Sequence, residues 1–248
     1  MTTDPRKVIG ILGGMGPAAS VDFYRRLVTS TVAARDQDHL AVLIDGSPDV
    51  PDRTAFIVGE GPDPSPALIR KARLLEASGA QLLVMACNTA YVFAPQVAAA
   101  VGVPLVDVPQ EAAAYIRARM PSIRRVGLLA TTGTVRSRLY QLAFAAQGID
   151  ALVPSETDQR DLVMEAIYGE KGVKSGADLG LPWRLVQEAG QRLVDHGAEA
   201  VLLACTELSV LFADTVSPWS PPVFDVAQVA AERVIALAGG EVVEARHS

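Results

Sequence analysis

The sequence has few of the features that mark exported or membrane proteins. It contains only 2 cysteines among 248 residues, and no apolar run reaches the roughly 18 residues that a membrane-spanning helix needs. Residues 1–7 lack the apolar segment of a secretory signal peptide. We therefore expect a cytoplasmic protein with no membrane partner and with both cysteines as free thiols. A single disulfide between them is the alternative.

Clustered positive charge is also missing. The chain has 22 Lys and Arg against 28 Asp and Glu, a net charge of −6 and a pI of about 5.1, and its basic residues form no long run. Nucleic-acid binding needs a clustered basic surface, so we expect no nucleic-acid partner. Half of the residues are hydrophobic and only 20% are charged, which is typical of a compact globular protein rather than a disordered one.

Motifs for metals and nucleotides are absent or incomplete. His39, His196 and His247 have no other His or Cys at metal-ligand spacing, so no metal site is predicted. The segment Gly14-Met15-Gly16-Pro17-Ala18-Ala19 formally matches G-x-G-x-x-A, but the acidic residue expected about 20 positions later is missing. A dinucleotide is therefore not expected. The glycines of this segment instead favour an anion site, made of backbone N–H groups that have no partner before the following helix.

Short aliphatic runs alternate with longer helical stretches along the chain. The runs are continuously apolar, as in parallel strands that are covered on both faces. The predicted strands are 8–12, 40–44, 82–86, 104–106, 125–130, 151–154, 200–204 and 222–224. The predicted helices are 17–34, 65–78, 91–101, 110–119, 135–147, 159–168, 181–196 and 226–237. This order predicts an α/β fold with right-handed crossovers.

The two cysteines lie at the same point of an internal repeat. Residues 75–87 align without a gap with residues 193–205, which superposes Cys87 on Cys205. The same shift carries residues 103–108 onto 221–226 and indicates a boundary near Asp107. We expect one domain of residues 1–107 plus 226–248 and a second of residues 108–225, with the last helix crossing back to the first domain.

Each cysteine ends a predicted strand, just before a helix or loop. Ligands bind at this edge of open α/β sheets, and a helix N-terminus lowers the pKa of a thiol. A lone cysteine there is more often a small buried apolar residue. Two cysteines at twin positions, each followed by hydrogen-bonding residues, favour a functional role. Two thiols facing one cleft suit the transfer of a proton from one face of a carbon to the other.

Two predicted loops carry cationic side chains, one after the second predicted strand and one after the predicted helix 159–168. Arg53 lies in the loop Pro51-Asp52-Arg53-Thr54, and its planar guanidinium suits a carboxylate. The glycine-rich segment 169–176 contains Lys171 and Lys174, and spacing alone does not choose between them. For all three residues, a solvated side chain on a loop is the alternative.

Five motifs in order along the chain resemble the aspartate/glutamate racemase family, and within it the aspartate racemases. The similarity covers about residues 8–237, and the motifs are Gly10-Ile11-Leu12-Gly13-Gly14-Met15-Gly16-Pro17, Pro51-Asp52-Arg53-Thr54, Ala86-Cys87-Asn88-Thr89-Ala90, Leu128-Leu129-Ala130-Thr131-Thr132-Gly133-Thr134 and Ala204-Cys205-Thr206-Glu207. The resemblance implies two pseudo-symmetric α/β domains, each with a central parallel sheet flanked by helices. It also implies an active site between the domains, a homodimer and no cofactor.

The same resemblance implies roles for individual residues. The catalytic cysteines of the family match Cys87 and Cys205, which implies that L- and D-aspartate are interconverted by two-cysteine proton transfer. The substrate-binding positions carried over are Met15, Arg53, Asn88, Thr89, Ala90 and Lys174. Thr132 joins them as the repeat counterpart of Met15.

Three other functions remain open at this point. The first is a racemase of glutamate or of a broader set of amino acids. The second is a hydantoin racemase, maleate isomerase or decarboxylase. The pair of carboxylate-binding cations and both cysteines argue against most of the second group. The third is a two-lobed amino-acid-binding protein, which has no need of twin thiols.

Overall fold

The computed structural model describes residues 5–176, 178–213 and 215–243. The last five residues of the predicted first domain, 244–248, which include His247, lie outside the described residues. The strands are β1 Ile9–Leu12, β2 Val42–Asp45, β3 Leu82–Met85, β4 Arg125–Leu129, β5 Asp150–Leu152, β6 Ala200–Leu203 and β7 Val223–Asp225. The helices are α1 Pro17–Ser30, α2 Arg53–Ile57, α3 Ser65–Ala77, α4 Ala94–Ala98, α5 Val108–Arg119, α6 Thr132–Arg136, α7 Leu139–Ala146, α8 Glu156–Asp158, α9 Glu165–Tyr168, α10 Gly180–Asp195, α11 Thr206–Leu211 and α12 Val226–Leu237.

The strands of the described residues form two parallel sheets. Their orders are β2-β1-β3 and β5-β4-β6-β7. In the first sheet Ile9 lies opposite both Val42 and Leu82, and in the second Val126 lies opposite Ala200. Strands β1, β3 and β6 are buried along their whole length, which explains their continuous apolar runs. The predicted α/β fold with two helix-flanked parallel sheets is confirmed.

One predicted strand, 104–106, is reduced to a single parallel bridge between Leu83 and Leu105. Asp107 ends it at once, because its carboxylate accepts a hydrogen bond from Gln110 N at 3.3 Å and so caps α5. The helix therefore begins at Val108, two residues before the predicted start. In the second sheet β7 stands at the corresponding position and Asp225 caps α12 in the same way, with Ala227 N at 2.9 Å.

Several helices differ from the predicted ones. The predicted helix 135–147 is split into α6 and α7, because Arg138 adopts the left-handed conformation with a φ of 57°. The predicted helix 91–101 begins as the 3-10 turn Thr89–Phe93 and continues as α4. The predicted helix 159–168 begins as the π-helical stretch Gln159–Met164 and continues as α9. The short helices α2 and α11 were not predicted.

A continuous apolar core runs between the two sheets. It includes Ile9 and Leu83 from the first sheet, Leu128 and Leu202 from the second, and the inner sides of α5 and α12. Helix α12 packs against α1 and α5 but also against β7 and α11, and α5 packs against α7. Because α5 and α12 contact both halves of the chain, the predicted domain boundaries stay a prediction.

Candidate active site

A small pocket at the carboxyl ends of β3 and β6 is lined by residues from both halves of the chain. Its volume is about 220 Å³, including its opening. Parallel sheets of this kind bind ligands at this edge. The lining residues are Met15, Arg53, Cys87, Asn88, Thr89, Thr131, Tyr168, Lys174, Cys205, Thr206 and Glu207.

The pocket gathers most of the site residues predicted from the sequence, but neither Ala90 nor Thr132 is on its lining. Ala90 is fully buried, and its N–H donates to Cys87 O at 3.3 Å. The Thr132 N–H faces Met164 Sδ at 3.2 Å. Thr131, which precedes it, lines the pocket instead.

A larger hollow of about 890 Å³ beside β7 and α12 has no cysteine on its lining. Its one buried cation, Arg26, is already paired with Asp22 at 2.6 Å and with Asp225 at 2.9 Å. Among the described lining residues, the hollow therefore offers a ligand no unpaired cation, whereas the small pocket carries both thiols.

Both cysteines are free thiols, which excludes the disulfide considered from the sequence. Cys87 follows β3 and Cys205 follows β6, and only 6% and 4% of their surfaces are exposed. Cys205 is the N-cap residue of α11, while Cys87 is followed by a 3-10 turn that starts at Thr89. The two equivalent positions of the repeat thus place both cysteines on the lining of one pocket.

Glu207 and Lys174 form a polar chain that ends at Cys205. Cys205 Sγ donates to Glu207 Oε2 at 3.1 Å, and Lys174 Nζ donates to Glu207 Oε1 at 2.5 Å. Burial raises the pKa of Cys205 well above its usual value, and the negative charge of Glu207 raises it further. Cys205 is therefore held as a protonated thiol.

Cys87 has the opposite neighbour, the guanidinium of Arg53. Arg53 is 6% exposed and is the first residue of α2 rather than a loop residue, because Asp52 Oδ1 caps that helix through Ala55 N at 2.8 Å. Burial acts to lower the pKa of Arg53, but Cys87 and Asp52 outweigh it and raise that pKa. Cys87 therefore lies beside a buried cation, whereas Cys205 lies beside the Glu207 carboxylate.

Two of the three Arg53 nitrogens are held by backbone oxygens. Nη2 donates to Met15 O at 3.1 Å, and Nη1 donates to Pro51 O at 3.1 Å. Arg53 Nε is buried and has no partner within the described residues. Arg53 lines the same pocket as Cys87, whose side chain also interacts with the guanidinium.

The structure separates the two lysines of the glycine-rich segment. Lys174 lines the pocket, 5.2 Å from the ring centre of Tyr168, whereas Lys171 lies on a different surface beside Asp178. Burial acts to lower the pKa of Lys174, but Glu207 outweighs it and raises that pKa, so the ammonium stays charged.

Tyr168 reaches across the pocket from α9 to the cap of α2. Its Oη donates to Asp52 Oδ2 at 2.9 Å. Burial and the Asp52 carboxylate raise the pKa of Tyr168, so the phenol keeps its proton. Sequence reasoning missed Tyr168, Thr131, Thr206 and Glu207 as site residues. Thr131, Thr206 and Glu207 had a sequence signal, since each stands in one of the five motifs, whereas Tyr168 stands in none of them.

Three buried threonine hydroxyls join the halves beside Cys87. Thr89 Oγ1 lies 2.9 Å from Thr131 Oγ1 and 2.9 Å from Thr134 Oγ1, and the last two are 3.2 Å apart. Gly133 allows this contact, because an added Cβ there would lie 3.0 Å from Thr89 Cγ2. The Thr89 hydroxyl is thus held by the protein itself.

The glycine loop differs from the predicted anion cradle. The Gly13 N–H donates to Asp45 O at 2.9 Å, and the Gly14 N–H donates to Ser20 Oγ at 2.9 Å. Gly14 has a φ of 81°, and a Cβ there would lie 2.1 Å from Ser47 O. The glycines therefore permit close packing against the loop after β2, and two of the N–H groups expected to be bare are occupied.

Within the described ranges, no cluster of three or more His, Cys, Asp or Glu residues is arranged to hold a metal ion. No helix in those ranges is both long enough and apolar enough to cross a membrane.

Comparisons with known proteins point to one family. The aspartate racemase of Picrophilus torridus is 28% identical, with a TM-score of 0.82 and 96% of both chains covered. The broad specificity amino-acid racemase RacX of Bacillus subtilis (strain 168) is 24% identical over 82% of this chain and 87% of its own length. A glutamate racemase of Corynebacterium kroppenstedtii is 32% identical over 61% of this chain, a match that spans only 51% of that relative.

The family model described as Asp/Glu/Hydantoin racemase matches residues 12–234, a range that includes every residue lining the pocket. This match confirms the resemblance seen in the sequence motifs, and the chain belongs to the Asp/Glu/hydantoin racemase family.

Proposed function

We propose that this chain is a cofactor-independent racemase of acidic amino acids, with aspartate as its substrate and Cys87 and Cys205 as its proton carriers. The observation that carries the proposal is the electrostatic asymmetry of two thiols on one pocket. Cys87 lies beside the Arg53 cation, and Cys205 donates to the Glu207 carboxylate. One thiol is thereby suited to accept a proton and the other to donate one.

The proton balance follows from this asymmetry. The Cys87 thiolate takes the α-proton of the substrate and becomes a thiol. The Cys205 thiol gives its proton to the opposite face of the carbanion and becomes a thiolate. The reverse reaction uses the same two groups with their roles exchanged. Before another turnover in the same direction, Cys87 loses its proton to solvent and Cys205 takes one up, so no net proton is consumed.

The carbanion needs stabilisation, because an α-proton beside a carboxylate is only weakly acidic. Its negative charge spreads onto the α-carboxylate, where a hydrogen-bond donor in a dry pocket is worth roughly 10²–10³-fold in rate. Asn88 lines the pocket next to Cys87 and is only 5% exposed. Its amide N–H group is suited to this task.

Two cations select a substrate that has a second carboxylate. Arg53 Nε has no partner within the described residues, and Lys174 Nζ uses one of its three N–H donors on Glu207. A dicarboxylic amino acid offers acceptors to both groups. This supports an acidic substrate over a hydantoin, which has no carboxylate.

The choice of aspartate is supported by the similarity to the Picrophilus aspartate racemase across nearly the whole chain. Glutamate and a broader substrate range are the alternatives, in view of the relatives named above. We also propose a homodimer, which sedimentation equilibrium measures directly.

The test is proton NMR of L- and D-aspartate in heavy water with no added cofactor, using wild type, Cys87→Ser and Cys205→Ser. We expect wild type to racemise either isomer with deuterium entering at the α-carbon. Each serine variant keeps the shape of the side chain but lacks an acidic proton carrier, so racemisation falls by at least about 10³-fold. Thermal melting of each variant checks that the fold is retained.

The possible results separate the alternatives. Racemisation that survives in both serine variants would exclude the two-thiol mechanism. Exchange with glutamate but not aspartate would change the substrate and keep the mechanism. If wild type exchanges neither, yet calorimetry shows that it binds them, the chain is an amino-acid-binding protein.

A further inference from the structure

Asn88 is held by a residue from the other half of the chain. Tyr140, on the first turn of α7, is fully buried, and its Oη lies 2.5 Å from Asn88 Oδ1. Asn88 follows β3 directly after Cys87 and lines the pocket. The contact therefore links a helix of the second half to the strand end that carries a proposed catalytic cysteine.

The direction of this hydrogen bond follows from what each group can do. The Tyr140 phenol makes no other hydrogen bond within the described residues, so its proton would be left unpaired in the core if Oη accepted from the Asn88 amide. Burial raises the pKa of Tyr140 well above its usual value, so the phenol keeps that proton. Tyr140 therefore donates to Asn88 Oδ1.

The amide orientation of Asn88 is set by that bond. With Oδ1 turned toward Tyr140, the Nδ2 group lies on the other side of the planar amide. The part of the chain that the structure describes supplies no hydrogen-bond acceptor for Nδ2. Two N–H donors are thus left for whatever occupies the pocket.

The local fold explains how a helix residue reaches Asn88. The left-handed conformation of Arg138 interrupts the helix between α6 and α7, so α7 starts in a new direction after this break. Tyr140 is further held by Phe144, whose ring centre lies 6.4 Å from its own. On the other side of this break, Thr131 and Thr134 bond to Thr89, so the segment after Cys87 is held at two adjacent residues.

We propose that Tyr140 is a positioning residue for the racemase reaction, which keeps Asn88 oriented so that Nδ2 donates to the substrate α-carboxylate as its negative charge builds up. This role rests on the proposed function. Without Tyr140 the amide rotates freely and presents its oxygen to the carboxylate for part of the time. That arrangement repels the developing charge and costs rate more than ground-state binding.

The first experiment is steady-state racemisation of aspartate by Tyr140→Phe, which removes the phenol oxygen alone. We expect kcat to fall by roughly 10- to 100-fold while KM changes by less than about 3-fold. Tyr115→Phe is the matched control, because its phenol also donates to a side-chain oxygen, Glu232 Oε2 at 2.8 Å, but lies outside the pocket. Its kcat should equal that of wild type.

A double-mutant cycle separates positioning from a loss of stability. If Tyr140 acts only through Asn88, Tyr140→Phe causes no further loss in an Asn88→Ala background. Losses that multiply in the double variant, or an unchanged kcat in Tyr140→Phe, would overturn the proposal.

A third variant keeps the test independent of how Tyr140→Phe folds. Asn88→Asp retains the oxygen that accepts from Tyr140 but has no N–H donor, so we expect it to melt near wild type and to lose kcat as fully as Asn88→Ala. An active Asn88→Asp would show that Nδ2 is not needed. Wild type that racemises neither aspartate nor glutamate would instead remove the proposed function, and the positioning role with it.

Discussion

At the residue scale, the two thiols of the site differ most in the charged groups beside them. Cys205 interacts with Glu207, which in turn holds Lys174. Cys87 interacts with Arg53. Because the chain has only two cysteines, replacing one of them leaves a single thiol whose ionisation can be followed without interference.

The first prediction concerns the ionisation of Cys205, measured in a Cys87→Ser background. The Glu207 charge raises the pKa of Cys205, so Glu207→Gln should lower the pH midpoint of Cys205 alkylation by iodoacetamide, which reacts with the thiolate. The Lys174 charge acts in the opposite direction, so Lys174→Met should raise that midpoint. Lys171→Met, from the same segment but outside the pocket, should leave it unchanged. Equal midpoints in all four proteins would contradict the polar chain.

At the element scale, the strands and long helices follow from the sequence and the short helices do not. Parallel strands covered on both faces are continuous apolar runs, and β1, β3, β4 and β6 were predicted to within a residue or so at each end for that reason. Helix α12 was predicted with its observed bounds. Helices α2 and α11 span only five and six residues, too few to show a helical period.

The site residues also divide into those that the sequence indicates and those that it does not. The repeat and the motifs indicated Cys87 and Cys205, which now line one pocket. Tyr168 and Tyr140 were missed, because their partners Asp52 and Asn88 lie 116 and 52 residues away in the chain. Such pairs depend on how the two sheets are placed, which no local pattern records.

In the loop between β1 and α1, alanine should be tolerated less well than at another left-handed glycine. Gly14→Ala places a Cβ against Ser47 O in a left-handed conformation, whereas Gly59→Ala has a similar φ, 88°, with nothing within 4 Å. The left-handed penalty is about 1 kcal/mol in both. We expect Gly59→Ala to lose only that amount of unfolding free energy and to keep its kcat. Gly14→Ala should lose more, and it should also lose activity because the loop carries the Met15 oxygen that holds Arg53.

Chemical denaturation and racemisation of the two variants together give the answer. Equal unfolding free energies would show that the contact with Ser47 relaxes without cost. A full kcat in Gly14→Ala would show that the loop does not position Arg53.

At the scale of the whole molecule, an ion pair joins the N-terminal helix to the last strand. Arg26 on α1 is 7% exposed, and its Nη2 lies 2.9 Å from Asp225 Oδ2 at the end of β7. Arg26 also donates to Ser209 O on α11 at 3.2 Å. The pair therefore connects the first half of the chain to the segment that leads into α12.

Removing one partner of this pair should destabilise the fold strongly. Arg26→Met leaves the Asp225 charge without a counter-ion and should lower the unfolding free energy at pH 7.5 by about 3 kcal/mol. Arg25→Met is the matched control: it also loses an ion pair to Asp22, at 2.7 Å, but its side chain is half exposed. It should lose less than about 1 kcal/mol.

The loss of stability in Arg26→Met should depend on pH, because the pKa of Asp225 differs between the folded and unfolded states. Burial raises the pKa of Asp225, and the Arg26 charge opposes that rise, so the pKa of Asp225 should be higher still in Arg26→Met. A carboxyl whose pKa is higher in the folded state contributes stability that is present below its unfolded pKa and is lost as pH rises through the folded one. Arg26→Met should therefore be less destabilised at pH 4.5 than at pH 7.5. Adding Asp225→Asn should recover stability at pH 7.5 and abolish the difference between the two pH values. A deficit that is the same at both pH values, or that persists with Asp225→Asn, would mean that Arg26 stabilises the fold through its packing rather than its charge.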